Sequence, residues 1–572
     1  MGAEKNLKPT RRQFLGGAGA IGTAFAIASS EPPLLAQASS DAARGVAAGD
    51  VLLTNGRIHT LDGTNRVVRS LLIQNNRITA VGDRITRPAG ARVIDLKGRT
   101  VVPGLVEPHV HIVSLANRPG YHTILENTAS IKEVQQTLAA RRKNVPDGQW
   151  ITSMGGWHPN QWAEHRHPTM KELDDAVPDR PVFLYERFTG PAVVNSLGKK
   201  LFDAIDAAPP VHPDVKKVAV SDTGAIAAVG FAGGGPAASA LFHLRRMQTD
   251  ADKRRSTLDA MNYSTALGLT AHLDQVLFPT PGPLHPNQAL SNLDQYRMYD
   301  AWIQLHREGL ATVRMQMNFL HNQADPALPE LHERLRNSFQ FFGDDMLRTG
   351  SIGEWAAPLG AGKAWADAQR LVAQAGWRNE NSVQNLAGLR QVVDNWEALA
   401  KEFPIADKRW CVHHVPEVTP ELLTRLKNMG CGVQMAAFRW VTSNDPKVVV
   451  GPAFRTIVDH GIQVGMHGDG VHIAPLNPWS HIAYAVTGID SFGNQVNPGQ
   501  QLTRAEALKI FTHGNSWFLR MEDRIGTLEA GKLADVVVLD RDYFTIPDSQ
   551  IRNIRSVLTI VDGRIVHNDG VA

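Results

Sequence analysis

Between residues 104 and 519 short apolar, strand-like runs alternate with amphipathic helical stretches, and that alternation limits the fold more than any other feature. The runs include RPVFLYERF, LGLTAHLDQV, TVRMQMNFL, KRWCVHHV ahead of PELLTRLKNMG, CGVQMA and GIQVGMHGDG. Strands separated by helices pair in parallel, and a parallel sheet must be covered on both faces. At this length the expected fold class is α/β, a (β/α)8 TIM-like barrel. An open doubly wound sheet is the alternative, but no GxGxxG follows a first strand, and Gly233-Gly234-Gly235-Pro236 reads as a loop. In a barrel the chemistry sits at the C-terminal ends of the strands, so those ends are where ligand-type residues carry information.

Both ends of the chain are β-rich. VLLTNGRIHTL, SLLIQNNRITAVG and ARVIDLKGRTVVPG lie near the N-terminus, and IGTLEAGKLADVVVLD and IRSVLTIVDGRIVH near the C-terminus, with Asn75-Asn76 and Asp562-Gly563 in hairpin positions. Residues 39–103 and 520–572 are therefore expected to form one small β-sandwich domain around a barrel of residues 104–519. Ahead of them, Thr10-Arg11-Arg12-Gln13-Phe14-Leu15, an uncharged stretch from Gly16 to Ser30 and Ala36-Gln37-Ala38 form a twin-arginine export pattern over residues 1–38. Export machinery of that type is an expected partner, the periplasm the expected location, and no stable membrane span is expected in the mature form. Net charge of +3 over 572 residues gives no footprint for nucleic acid. Cys411 and Cys431 are read as buried free thiols, with a single bridge as the alternative.

The chemistry gathers around PGLVEPHVHI, Pro103 to Ile112. His109 and His111, one residue apart on a strand, project from the same face, so one metal ion can be held by both. His413 and His414 end another strand, where alternation lets only one of them point inward; His414 is taken as the ligand and His413 as a substrate contact. Asp469 follows GIQVGMHG at a strand end and suits both ligation and general-base work. His467 and His472 flank it and are expected to contact substrate. Glu354 is a further candidate ligand, and His272 and Asp274 are weaker ones. Trp157, Trp440 and Trp479 either wall a pocket or pack in the core.

PGLVEPHVHI, the VIDLKGR run before it, IGTLEAGKLADVVVLD, His414 followed by VTPELL, and Asp469 followed by APLNPW together resemble the metal-dependent amidohydrolase superfamily, in the branch similar to N-substituted formamide deformylases. The resemblance implies a barrel with a sandwich built from both ends, one or two divalent metals and hydrolysis of C–N bonds in amides or cyclic imides. It also exposes departures. Glu107 stands where relatives commonly carry Asp. Arg348 aligns with a lysine that can be carboxylated, which a guanidinium cannot be, so Glu354 is left to bridge. Around NENSVQN, Ser382 or Gln384 stands where a strand-5 histidine is expected.

The expected function is an exported hydrolase that cleaves a C–N bond of a small-molecule amide, formamide or cyclic imide. A zinc-like ion is held by His109, His111 and His414, and Asp469 is the base. The departures favour one well-held ion over two. The alternatives are a non-hydrolytic metal- or ligand-binding member of the fold, or another reaction such as isomerisation or decarboxylation. Oligomerisation is compatible with all of them.

Overall fold

The computed structural model describes residues 49–187, 190–211, 215–228, 235–275, 297–321, 325–442, 451–471 and 473–572. The twin-arginine pattern, His472, Gly233 and Gly234 lie outside the described residues.

Eight parallel strands carry the middle of the chain: β1 (Leu105–Val110), β2 (Leu269–Asp274), β3 (Arg314–Phe319), β4 (Leu347–Ile352), β5 (Glu380–Ser382), β6 (Cys411–His414), β7 (Gly432–Ala436) and β8 (Gln463–His467). They pair in chain order as two four-stranded sheets, β1 to β4 and β5 to β8. A parallel bridge between Ile352 and Asn379 connects β4 to the start of β5. β1 and β8 are linked through Asn515, whose amide donates to Val106 O (2.6 Å) and Met466 O (2.8 Å) and accepts from Met466 N (2.8 Å).

Each strand from β2 to β8 is followed by a helix, which is what parallel pairing demands. The helices form where the sequence caps them. Thr419 accepts the Leu422 N–H with Pro420 in the first turn of Pro420–Asn428, and Asn385 accepts from Gly388 N ahead of Leu386–Ala400. The second of these buries Leu389, Val392, Val393, Trp396 and Leu399, a stripe at three- and four-residue spacing turned toward the strands.

One run belongs elsewhere. RPVFLYERF forms Val182–Tyr185, a strand of a separate five-stranded sheet inserted between β1 and β2. A buried parallel strand reads alike in either sheet, so the run itself carries no sign of which sheet it joins.

The two chain ends meet in one six-stranded sheet, ordered Arg564–Asn568, Ser556–Val561, Val536–Leu539, Thr100–Pro103, Arg57–His59, Val67–Val68. Val102 pairs antiparallel with Val537. A second sheet holds Arg77–Gly82, Ser70–Gln74, Val51–Thr54 and Arg92–Asp95. Leu53, Leu71 and Ile94 of that sheet share a buried cluster with Ile58, Val538 and Ile560 of the first. Both hairpin turns form where expected: Asp562 and Gly563 take φ of 52° and 74°, and Asn75 takes 56°. Cys411 and Cys431 are buried free thiols. No helix among the described residues is long and apolar enough to cross a membrane.

Candidate metal centre

The parallel strands deliver their ligand-type residues to one place. His109 lies near the end of β1 and His111 just past it, His413 and His414 end β6, His467 ends β8, and Glu354 and Asp469 each lie two residues beyond a strand end. All seven residues are buried, none more than 3% exposed. His109, His111 and Asp469 present one donor atom each within 4.8 Å of one another, and so do His109, Glu354, His413 and His414.

Asp469 sits at the middle. Its Oδ1 is 3.0 Å from His111 Nε2 and 3.4 Å from His109 Nε2, and its Oδ2 is 3.2 Å from His414 Nε2. Glu354 closes the far side, 3.9 Å from both His111 Nε2 and His414 Nε2.

The expectation that only one of His413 and His414 points inward is corrected. The His413 and His414 rings lie 4.4 Å and 5.2 Å from that of His109. Strand alternation fails because His414 leaves the extended region, with φ of 71°, and Val415 follows at 34°. The backbone turn swings the second imidazole back to the side of the first. His467 packs against His109 at 4.6 Å and His414 at 5.3 Å, so it lies inside the cluster.

Hydrogen bonds fix which edge each ring presents. His111 Nδ1 meets Gln275 O at 2.9 Å; donating its proton there leaves Nε2 as the ligand edge. The Nδ1 edge of His414 is held by Ser382 Oγ (2.8 Å) and the Gln384 amide (2.6 Å), which turns Nε2 toward Asp469. Those two residues stand where a strand-5 histidine was expected, and they orient the His414 ring. Glu107 accepts from His109 N (3.4 Å) and Gly468 N (3.2 Å), tying β1 to the end of β8.

The two weaker candidates, and Arg348 at the expected lysine position, lie outside the cluster. His272 points at Ser264 on the helix Asp250–Ala266 (3.0 Å), and Asp274 accepts from Tyr299 Oη (2.6 Å) and Val113 N (2.9 Å). Arg348 is held by Gln316 on β3 (2.9 Å). Trp157, Trp440 and Trp479 are buried, Trp157 stacked on Trp162. The Gln275 carbonyl that orders His111 could not be read from the sequence, because every residue carries a carbonyl.

Burial and the central carboxylate together set the charges. Burial pushes His109 down to about 4 despite Asp469. Burial also opposes charge on His111, but its close approach to Asp469 outweighs it and holds the ring at about 9. Asp469 resists burial through the three histidines and stays far below the usual carboxylate range. Burial raises Glu354 to about 7 and drives His413 and His467 well below the ordinary imidazole value.

These residues fit a cation. Both ring nitrogens of His109 and of His413, and Nε2 of His414, are buried with no well-formed hydrogen bond among the described residues. Buried polar atoms are normally satisfied, and a ligated ion satisfies imidazole nitrogens while neutralising Asp469.

The amidohydrolase family model matches residues 92–567. N-substituted formamide deformylase of Arthrobacter pascens is 23% identical over 564 residues, which cover 90% of this chain and 97% of that protein. A putative amidohydrolase of Bacillus subtilis, YtcJ, is 23% identical over 83% of this chain and 90% of its own. Among solved structures, uncharacterized metal-dependent hydrolases of Pyrococcus horikoshii and Pyrococcus furiosus share the fold. Their TM-scores are 0.57 and 0.56 at 20% and 22% identity, covering 88% and 87% of this chain and 99% and 100% of theirs. The chain belongs to the amidohydrolase family and is a metal-dependent amidohydrolase.

Proposed function

We propose that this protein is an exported hydrolase that cleaves the C–N bond of a small amide, formamide or cyclic imide. The observation that carries the reading is a buried carboxylate, Asp469, set among His109, His111 and His414 at strand ends. His109, His111, His414 and Asp469 would hold a single zinc-like ion, with Glu354 at its edge. Such an ion supplies Lewis acidity to a carbonyl and lowers the pKa of water toward neutrality. Asp469, charged at neutral pH, takes the proton of the attacking water and passes it to the leaving nitrogen as the C–N bond breaks. The products are a carboxylic acid and an amine from an amide or formamide, and a single ring-opened acid amide from a cyclic imide. His413 and His467, kept neutral by burial, wall the reacting centre without adding positive charge.

For the architecture we propose that the two four-stranded sheets form one (β/α)8 barrel over residues 104–519, with the end sheets as a β-sandwich of residues 39–103 and 520–572. Export rests on the twin-arginine pattern of residues 1–38. A non-hydrolytic, metal-binding member is the second reading, favoured by the near-complete burial of the cluster. Assay of the metal-loaded protein against amides, formamides and cyclic imides separates the two. Turnover that disappears in Asp469→Asn while bound metal persists is expected. Full activity in Asp469→Asn removes its role as base, and no turnover of any compound by the loaded wild type favours the second reading.

A further inference from the structure

Asp469 is held in a backbone conformation that few residues other than glycine adopt, though Asp enters it more readily than most. Its φ is 52°, in the left-handed region, and a non-glycine residue persists there only where its surroundings over-determine it. Gly470, Val471, Leu476 and Asn477, which follow it, receive those constraints, and they converge from one stretch of chain just after β1.

His111 N donates to Gly470 O at 2.6 Å. Arg118, 3% exposed, donates through Nη2 to Val471 O at 3.0 Å. Glu126, 8% exposed, accepts from Leu476 N at 2.6 Å and Asn477 N at 3.4 Å through Oε2. Its other oxygen, Oε1, is buried with no partner among the described residues, so the hydrogen bonding of this carboxylate goes wholly to the segment behind Asp469. Asn127 Oδ1 adds a contact from Asn477 Nδ2 at 3.3 Å. Arg118 thus grips Val471 through its carbonyl, and Glu126 grips Leu476 and Asn477 through their amides. Gly155, Gly156 and Tyr263 line the small cavity between them.

We infer that Arg118 and Glu126 are positioning residues, which keep the Asp469 carboxylate aimed at His109 and His111 by clamping the segment that follows it. Neither touches the cluster itself. The inference rests on the reading of Asp469 as the proton acceptor beside the ion.

The test uses the full-length protein loaded with cobalt(II), which reports ligand geometry in its visible absorption. Wild type, Glu126→Asp, Arg118→Lys, Glu126→Gln and Asp469→Asn are compared for cobalt stoichiometry, cobalt spectrum, kcat and KM on the best-hydrolysed amide. Glu126→Asp and Arg118→Lys keep charge and should fold, but they shorten or replace the gripping group. A roughly 10- to 100-fold fall in kcat is expected, with KM little changed, cobalt retained and its absorption bands altered. Glu126→Gln keeps an oxygen for the Leu476 N–H and should restore kcat and spectrum.

Wild-type kcat and an unaltered spectrum in both Glu126→Asp and Arg118→Lys would overturn the positioning role, while an inactive Asp469→Asn leaves the reading of the base intact. An active Asp469→Asn overturns both. If the wild type hydrolyses no amide, the function fails alone and the cobalt spectra still decide the positioning role.

Discussion

Single residues set this centre as much as the histidine pair does. His109 and His111 follow from strand geometry, and Asp469 from its place at a strand end; all three were legible. His413 was not, because its admission depends on φ at His414, and an extended-strand rule has no means of seeing a left-handed turn. Ser382 and Gln384 read as a missing ligand, yet they hold the Nδ1 edge of His414. Outer partners of metal-ligating histidines typically contribute about 10- to 100-fold in metal affinity. The double variant Ser382→Ala/Gln384→Ala is accordingly expected to bind zinc more weakly by roughly that factor, with little change in thermal stability of the metal-free protein. Chelator competition measures it, and an unchanged affinity would remove His414 from the ligand set.

At the scale of elements, the site depends on strands that are neighbours in space and distant in sequence. β1 and β8 are joined through Asn515, which satisfies Val106 O, Met466 O and Met466 N from a short helix far along the chain. Asn515→Leu keeps the branched heavy-atom shape and abolishes all three bonds, leaving buried backbone groups unpaired at about 1–3 kcal/mol each. A loss of at least about 3 kcal/mol in chemical denaturation is expected, and a midpoint equal to wild type would show that the seam does not need this amide. Strand and helix alternation was legible because apolar runs and caps are local signals. The inserted five-stranded sheet was not, since partner choice in a sheet is set by packing across long separations.

The whole molecule binds its two ends to its middle. The end strands share a sheet, and the buried Arg314 on β3 makes a bidentate pair with Asp535 at 2.8 Å for each bond, just ahead of Val536–Leu539. Removing one partner of such a pair typically costs about 3–5 kcal/mol, so the C-terminal strands are joined to the parallel core by more than sheet pairing. The β-rich ends and the hairpins at Asn75 and Asp562 were readable, because alternation and turn chemistry are written locally; the Arg314–Asp535 link spans too much sequence to be.

The proposed function rests on one cation site at the strand ends, and its occupancy is the most direct test. Metal quantification should find close to one equivalent of divalent ion per wild-type chain and almost none in His109→Ala/His111→Ala, with the mutant still folded. Wild-type protein that binds no ion tightly, or a double variant that binds as much as wild type, would contradict the account.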